Sequence, residues 1–444
     1  MPVAGLGELR QKPDPPSISS PYNQMSGYLR FLASYRTILG FGLVTALSSS
    51  FGQTFFISLF LPYFMTDFDL TKGDFGFLYG ACTLLSALCL PRLGSHIDRL
   101  DLKRYTTLTI VGLALAALTV STAPHVAFLA LGIVGLRLTG QGLLGHISQT
   151  VMAREFAASR GKALGVASLG YPLGEAVLPL ACTLGLQFLP WTAVWQLVSA
   201  GAVVLILPLA LGLLSNANGQ TEAAAPAPAT AEPQTMGREN TFGRDLNTYL
   251  SLPALLTPPF VFTALFLYQA PMAEWKGWDP SWVAAAFSAF AMSRALTSIV
   301  IGGLIDRFSA VLLFPFFLMP LGAAIALFQW ASQPWIAFLY LMLIGMTAGA
   351  NSSIGSALWA ELYGVEHLGR IRSVATTWAI LGAAASPMLL GVLFRYGFGF
   401  EHMLLGSLVI VAVSTAAALL LVMNQTQRLT GVAQRLRLSR AFER

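Results

Sequence analysis

Charge is what this chain has least of. Only 10% of its 444 residues are Asp, Glu, Lys or Arg, against 55% hydrophobic residues. A soluble domain of ordinary composition carries about 25% charged residues, so a water-exposed globular fold is excluded and lipid is the solvent that suits the chain. Cysteine is scarce too. Cys82, Cys89 and Cys182 all fall inside apolar runs with no ligand spacing around them, which excludes a disulfide framework and a zinc site. No Gly-x4-Gly-Lys-Ser/Thr loop occurs, which disfavours an ATP-driven pump. No His-Glu-x-x-His, nucleophile elbow or metal-ligand cluster points to an enzyme, and no cofactor is expected. Near the start, Arg10, Lys12 and five prolines precede the first apolar run, a pattern unlike a cleaved signal peptide.

Long apolar runs take the place of charge. About 20 residues at about 1.5 Å each span a hydrocarbon core of about 30 Å. Six such runs come first: Ile38–Phe64, Phe75–Leu93, Tyr105–Ala123, Val126–Met152, Ala163–Phe188 and Trp191–Leu214. Six more follow: Leu252–Met272, Pro280–Gly303, Val311–Trp330, Trp335–Ala357, Val374–Phe394 and Phe400–Met423. The expected fold is an all-α membrane protein of twelve transmembrane helices in two six-helix bundles, residues 37–214 and 248–423. A tail of residues 1–36, an Ala/Pro-rich linker of residues 215–247 and a basic tail of residues 424–444 complete the chain.

The 26 Lys and Arg outnumber 20 Asp and Glu, but they cluster in short loops rather than on a nucleic-acid-binding face. With the N-terminus inside, only Lys72, Lys276 and Arg395 fall outside, so both termini are expected in the cytoplasm of a multi-pass inner-membrane protein. The tail from Arg428 suits a helix lying on anionic headgroups.

The two halves repeat. Gly94-Ser-His-Ile-Asp98-Arg99 returns as Gly302-Gly-Leu-Ile-Asp306-Arg307, Gly161-Lys162 as Gly369-Arg370, and Gly174-Glu-Ala-Val-Leu-Pro179 as Gly382-Ala-Ala-Ala-Ser-Pro387. Positions 98 and 306, 161 and 369, and 179 and 387 all stand 208 apart. A duplicated six-helix unit marks a transporter whose bundles rock about a central site.

Gly94-x-x-x-Asp98-Arg99, followed by Lys103 and Arg104, resembles the signature loop of the major facilitator superfamily, and the resemblance extends over nearly the whole chain. It implies a latch made of Gly94, Asp98 and Arg99 with Gly302, Asp306 and Arg307 in the second half. The alternative is a helix cap with topogenic cations. Trp359-Ala-Glu361 and Gly369-Arg-Ile-Arg-Ser resemble the monocarboxylate and oxalate/formate branch. In that branch an arginine of helix 8 commonly occupies the position of Ser298. This chain places Arg294 one turn farther on the same face. The sugar-porter signature at the end of helix 6 and the membrane-embedded helix 1 acids of many multidrug exporters are absent.

Three ionised side chains fall at mid-helix, where each costs about 2.5–3.5 kcal/mol or more and so is expected to face the bundle interior. Arg294 has no acid on its own helix and is the expected substrate ligand, with a structural partner on another helix as the alternative. Arg137 opens Arg137-Leu-Thr-Gly-Gln-Gly, which resembles the superfamily's helix 4 arginine motif. Glu175, whose counterpart in the second half is Ala383, reads either as a proton carrier or as a permanent partner of Arg137. His146 could extend a proton path. Gln53, Tyr171, Tyr268, Gln269 and Asn351 are softer candidates for substrate contact.

The expected function is secondary transport of a small organic anion, proton-coupled or by exchange, by a monomer in the bilayer. An exporter of neutral or cationic amphiphiles, with Glu175 as the ligand, and a non-transporting sensor on the same fold are the alternatives.

Overall fold

The computed structural model describes residues 21–156, 159–217, 245–364 and 368–442, with side chains except at 21–27, 368–370, 373 and 427–442. Among them every regular element is helical, as an apolar surrounding demands: with no water to bond, each backbone N–H must find its carbonyl within the segment.

Twelve segments run up and down. The first is built from pieces between Arg36 and Asp67, the second is Lys72–Asp98, the third Leu102–Ser121 and the fourth Val126–Glu155. Arg160–Leu186 and Trp191–Ser215 complete the first half. The second half comprises Leu246–Leu267 continued by Gln269–Trp275, then Pro280–Phe308, Ala310–Leu313 with Met319–Trp330, Ile336–Tyr363, Leu368–Arg395 and Phe400–Phe442. Ten of these are each long and apolar enough to cross a membrane. The first segment is broken, and the ninth has only Met319–Trp330 as its apolar stretch. This is a multi-pass membrane protein.

Side-chain caps set several of the starts. Thr71 Oγ1 accepts the Asp74 N–H at 3.1 Å while Asp74 Oδ2 accepts the Thr71 N–H at 3.1 Å, a reciprocal box at the second segment. At the eighth, Asp279 Oδ1 accepts the Ser281 N–H at 2.7 Å and its hydroxyl at 2.5 Å. Those bonds hold the Asp279 carboxyl below the usual carboxylate range. Before the first segment lies the helix Pro21–Ser34, within the stretch read from sequence as a plain tail, and its Tyr28–Ser34 part is bent by 85° from Arg36–Gly52. Its Phe31 packs on Tyr35 and Phe156.

The break in the first segment has a local cause. Ser48-Ser49-Ser50-Phe51-Gly52 is poor in strong helix formers. The chain tightens to 3-10 geometry over Ser49–Gly52, and Gln53 is extended at φ −80°, ψ 153° before helix resumes at Thr54. Directly against this break the fourth segment widens into a π-helix over Arg137–Leu144, the kind of irregularity that often sits at functional sites. The two backbones touch: a Cβ on Gly52 would lie 2.1 Å from the Leu136 carbonyl oxygen.

The halves meet chiefly through two pairs of segments, the second with the eleventh and the fifth with the eighth, and the first also touches the seventh. On the face opposite the linker the contact is backbone to backbone. A Cβ on Gly73 would lie 2.6 Å from the Gly391 carbonyl oxygen, and one on Gly76 would lie 2.7 Å from that of Pro387. Toward the linker face the halves part. Arg160–Ser168 packs on the first and fourth segments of its own half, whereas Gly170–Leu186 packs along the eighth. Around Gly302 and Gly303 nothing lies within 4 Å of a built Cβ, so no neighbouring helix approaches closely there.

Candidate substrate and coupling site

Glu175 lies on the fifth segment and Arg294 on the eighth, so their pairing spans the two halves. Arg294 Nη1 donates to Glu175 Oε1. The carboxylate side chain is 9% exposed and the guanidinium 32%. The Glu175 Oε2 atom is buried without a partner. Two expectations change here. Glu175 is not the partner of Arg137, and Arg294 is not free to receive a substrate anion in this conformation. The reason is side-chain direction: Glu175 points out of its own bundle toward the eighth segment, while Arg137 points inward at the break in the first. Tyr171, one turn before Glu175, lies against Gln149 and within electrostatic reach of the pair.

Arg137 has no acidic partner among the described residues. Its Nη1 donates to the Gly52 carbonyl at 3.2 Å and to Thr54 Oγ1 at 3.3 Å, and its Nε is buried with no partner. Tyr79 covers it, with the guanidinium carbon 5.3 Å from the ring centroid, and its hydroxyl donates to Thr54 Oγ1 at 3.0 Å. The break in the first segment thus supplies a carbonyl to an arginine at membrane depth, the circumstance in which irregular backbone is tolerated there.

The softer candidates separate. Gln269 and Tyr268, expected to touch substrate, instead hold the far face shut. The Gln269 Nε2 donates to the Phe55 carbonyl and to Ser58 Oγ, both at 2.8 Å, and the Tyr268 hydroxyl donates to the Lys72 carbonyl at 3.1 Å. Both side chains are buried. Gln53 and Asn351 are half-buried, and no hydrogen bond is seen from either side chain. His146 meets Thr150, with Oγ1 3.3 Å from Nδ1, and packs 3.7 Å from where a Gly94 side chain would begin. Gly94 thus lies beside an imidazole of its own half, at a spacing that a Cβ would also fit.

The expected latch is split in this state. Asp98 pairs with Arg154 at the end of the fourth segment, in the same half, with both side chains about half exposed. Arg99 and Asp306 make no described ion pair, and Arg307 lies over the Phe308 ring at 5.2 Å. The second half uses a different device, with Glu361 accepting the Ala310 and Val311 N–H groups at 2.7 and 3.1 Å. Gly369 and Arg370 fall on side chains outside the described residues. On the far face Asp74 pairs with Arg395 across the halves.

Two residues at the site carried no advance signal. Thr54 and Thr83 sit in apolar runs as hydroxyls, and only the fold turns them toward Arg137.

A model of the Major Facilitator Superfamily matches residues 42–273, just over half of the chain. The chain belongs to that superfamily. It is also 25% identical over 384 residues to the 3-(3-hydroxy-phenyl)propionate transporter of Escherichia coli (strain K12), covering 81% of this chain and 87% of that protein. Among solved structures it resembles a bacterial homolog to the human lysosomal transporter Spinster. The inward-facing and occupied form aligns with TM-score 0.65 at 16% identity, over 87% of this chain and 97% of that one. The inward-facing and unoccupied form aligns with TM-score 0.62, also at 16% identity, over 88% and 95%. At that identity the likeness carries the fold: two six-helix bundles, as the 208-residue repeat implied.

Proposed function

We propose that this superfamily transporter moves a small organic anion across the inner membrane by alternating access, coupled to protons. The observation that carries the reading is the charge balance at membrane depth. Among the described residues two guanidiniums, Arg137 buried and Arg294 half-buried, stand against one buried carboxylate, and that carboxylate is committed to Arg294. No acid among the described residues answers Arg137, which leaves it to be neutralised by a bound anion. The relative's aryl carboxylate substrate is of the matching chemical class. The cationic-amphiphile reading needs an available Glu175, and Arg294 already engages it.

Loop charges support a cytoplasmic linker face, and in that orientation this conformation is closed to the outside. The Glu175–Arg294 pair serves as the coupling element. A proton on Glu175 removes one charge of the pair and loosens the contact between fifth and eighth segments. Deprotonation restores it. A coupled cycle therefore carries a proton with each anion, and Arg294 acts on the substrate through Glu175 rather than by direct contact.

In proteoliposomes with an acidic exterior, labelled 3-(3-hydroxyphenyl)propionate is expected to accumulate above the level in protein-free vesicles. Glu175→Gln is expected to retain exchange of the acid but to lose gradient-driven accumulation. Full pH-driven accumulation by Glu175→Gln would remove Glu175 from the coupling role.

A further inference from the structure

The 208-residue offset relates Glu175 to Ala383 and Arg294 to Ser86, since 383 − 175 and 294 − 86 both give 208. One interface between the halves, fifth with eighth, is closed at mid-depth by an ion pair. The mirrored interface, second with eleventh, has Ser86 and Ala383 at the equivalent positions, and neither can ionise. These two residues line one cavity of about 200 Å³. Arg137 lines the same cavity from the fourth segment, together with Thr83, Gln141 and Ile380.

Its polar side is under-satisfied. Arg137 is 4% exposed and Thr83 3% exposed, and neither Arg137 Nε nor Thr83 Oγ1 has a partner. The two bonds that Arg137 does make go to neutral acceptors at 3.2 and 3.3 Å, long for a guanidinium. An acid on the eleventh segment could have answered Arg137 as Glu175 answers Arg294, yet that position is alanine.

We infer that the carboxylate of the transported acid occupies the cavity between Arg137, Ser86 and Ala383, and so supplies the ion pair that the mirrored interface lacks. The inference rests on the anion reading above and adds its place and size class. Thr83 and Gln141 offer hydrogen bonds beside the guanidinium, and Ile380 and Ala383 offer an apolar wall from the other half. A cavity this small, below the usual 300–1,000 Å³ of ligand pockets, suits a compact monocarboxylate with a single ring better than a bulky amphiphile. Because the walls come from both halves, the bound acid bridges them opposite the Glu175–Arg294 pair.

The test is equilibrium binding of labelled benzoate and 3-phenylpropanoate to the purified full-length protein, with 3-phenylpropylamine as the charge-reversed probe. Wild type is expected to bind the acids and not the amine. Ala383→Glu, which places a carboxylate at the mirrored position, is expected to weaken acid binding by about tenfold or more, and Arg137→Gln to do the same. Because Arg137 also ties the first segment to the fourth, Ala383→Leu serves as a variant that leaves those bonds alone and fills the cavity. It too is expected to weaken binding. Unchanged acid affinity in Ala383→Glu and Ala383→Leu overturns the placement while leaving the anion reading intact. If wild type binds neither acid, or binds the amine as well as the acids, the anion reading fails and takes the placement with it.

Discussion

Glu175→Ala, with Arg294 left in place, is expected to destabilise the protein by about 3 kcal/mol, the lower end of the range for breaking a buried ion pair. The lower end applies because the Arg294 side chain is 32% exposed and regains some hydration once released, whereas Glu175 is 9% exposed. Removing both charges together, as Glu175→Leu with Arg294→Met, is expected to recover most of that loss, since an apolar pair of similar volume has no charge to desolvate. The measurement is reversible unfolding in mild detergent for Glu175→Leu, Arg294→Met and the double, with Glu175→Ala alongside. A coupling energy of about 2 kcal/mol or more is expected for residues in direct contact. Additive losses would mean that the pair does not hold the fifth and eighth segments together. Transport is expected to fail in the double variant even where stability returns, which separates the pair's structural role from its coupling role.

The second large effect is expected on the opposite side of the bundle. Gly76 faces the Tyr268 hydroxyl and the Pro387 carbonyl so closely that a Cβ would lie 2.1 and 2.7 Å from them. The carbonyl belongs to backbone and cannot rotate away. Gly76→Leu is therefore expected to prevent the far face from closing and to hold the halves apart there. Transport is expected to fall by at least about 100-fold, because a state of the cycle is lost rather than a binding contact weakened. Spin labels at Phe188 and Tyr396, both highly exposed at that face, report the change directly in a background lacking Cys82, Cys89 and Cys182. The distance between them is expected to lengthen in Gly76→Leu. An unchanged distance would show that the glycine contact does not set the closed state.

The fold was legible because membrane spans announce themselves: twelve apolar runs, loop cations and a repeat at one offset point to a single architecture. Arg137, Glu175 and Arg294 were legible for a related reason, since ionised residues at mid-span are too costly to be incidental. Their pairing was not. Neighbouring helices in sequence suggest Arg137 with Glu175, whereas the actual partner of Glu175 lies 119 residues away in the other half. The direction of a side chain around a helix axis decides this, and an apolar helix in lipid has too little contrast between its faces to show it. Tyr268 and Gln269 illustrate a second limit. Their polarity at membrane depth is plain in the sequence, but a polar group between halves can bond protein as readily as substrate. The break at Gln53 did leave a trace, in the three serines and glycine before it.

The repeat holds more than architecture. Matching Ser86 to Arg294 requires only the offset, yet it acquires meaning once Ser86 and Ala383 are found on one cavity with an unanswered arginine. Sequence supplies the correspondence, and packing supplies the reason to compare its members.

The most direct test of the central claim is counterflow. Vesicles loaded with an unlabelled aryl carboxylate and diluted into a trace of the labelled acid are expected to accumulate label transiently with wild type, above protein-free vesicles, and not when loaded with 3-phenylpropylamine. Accumulation in the amine-loaded vesicles, or none with any carboxylate, would contradict an organic-anion transporter.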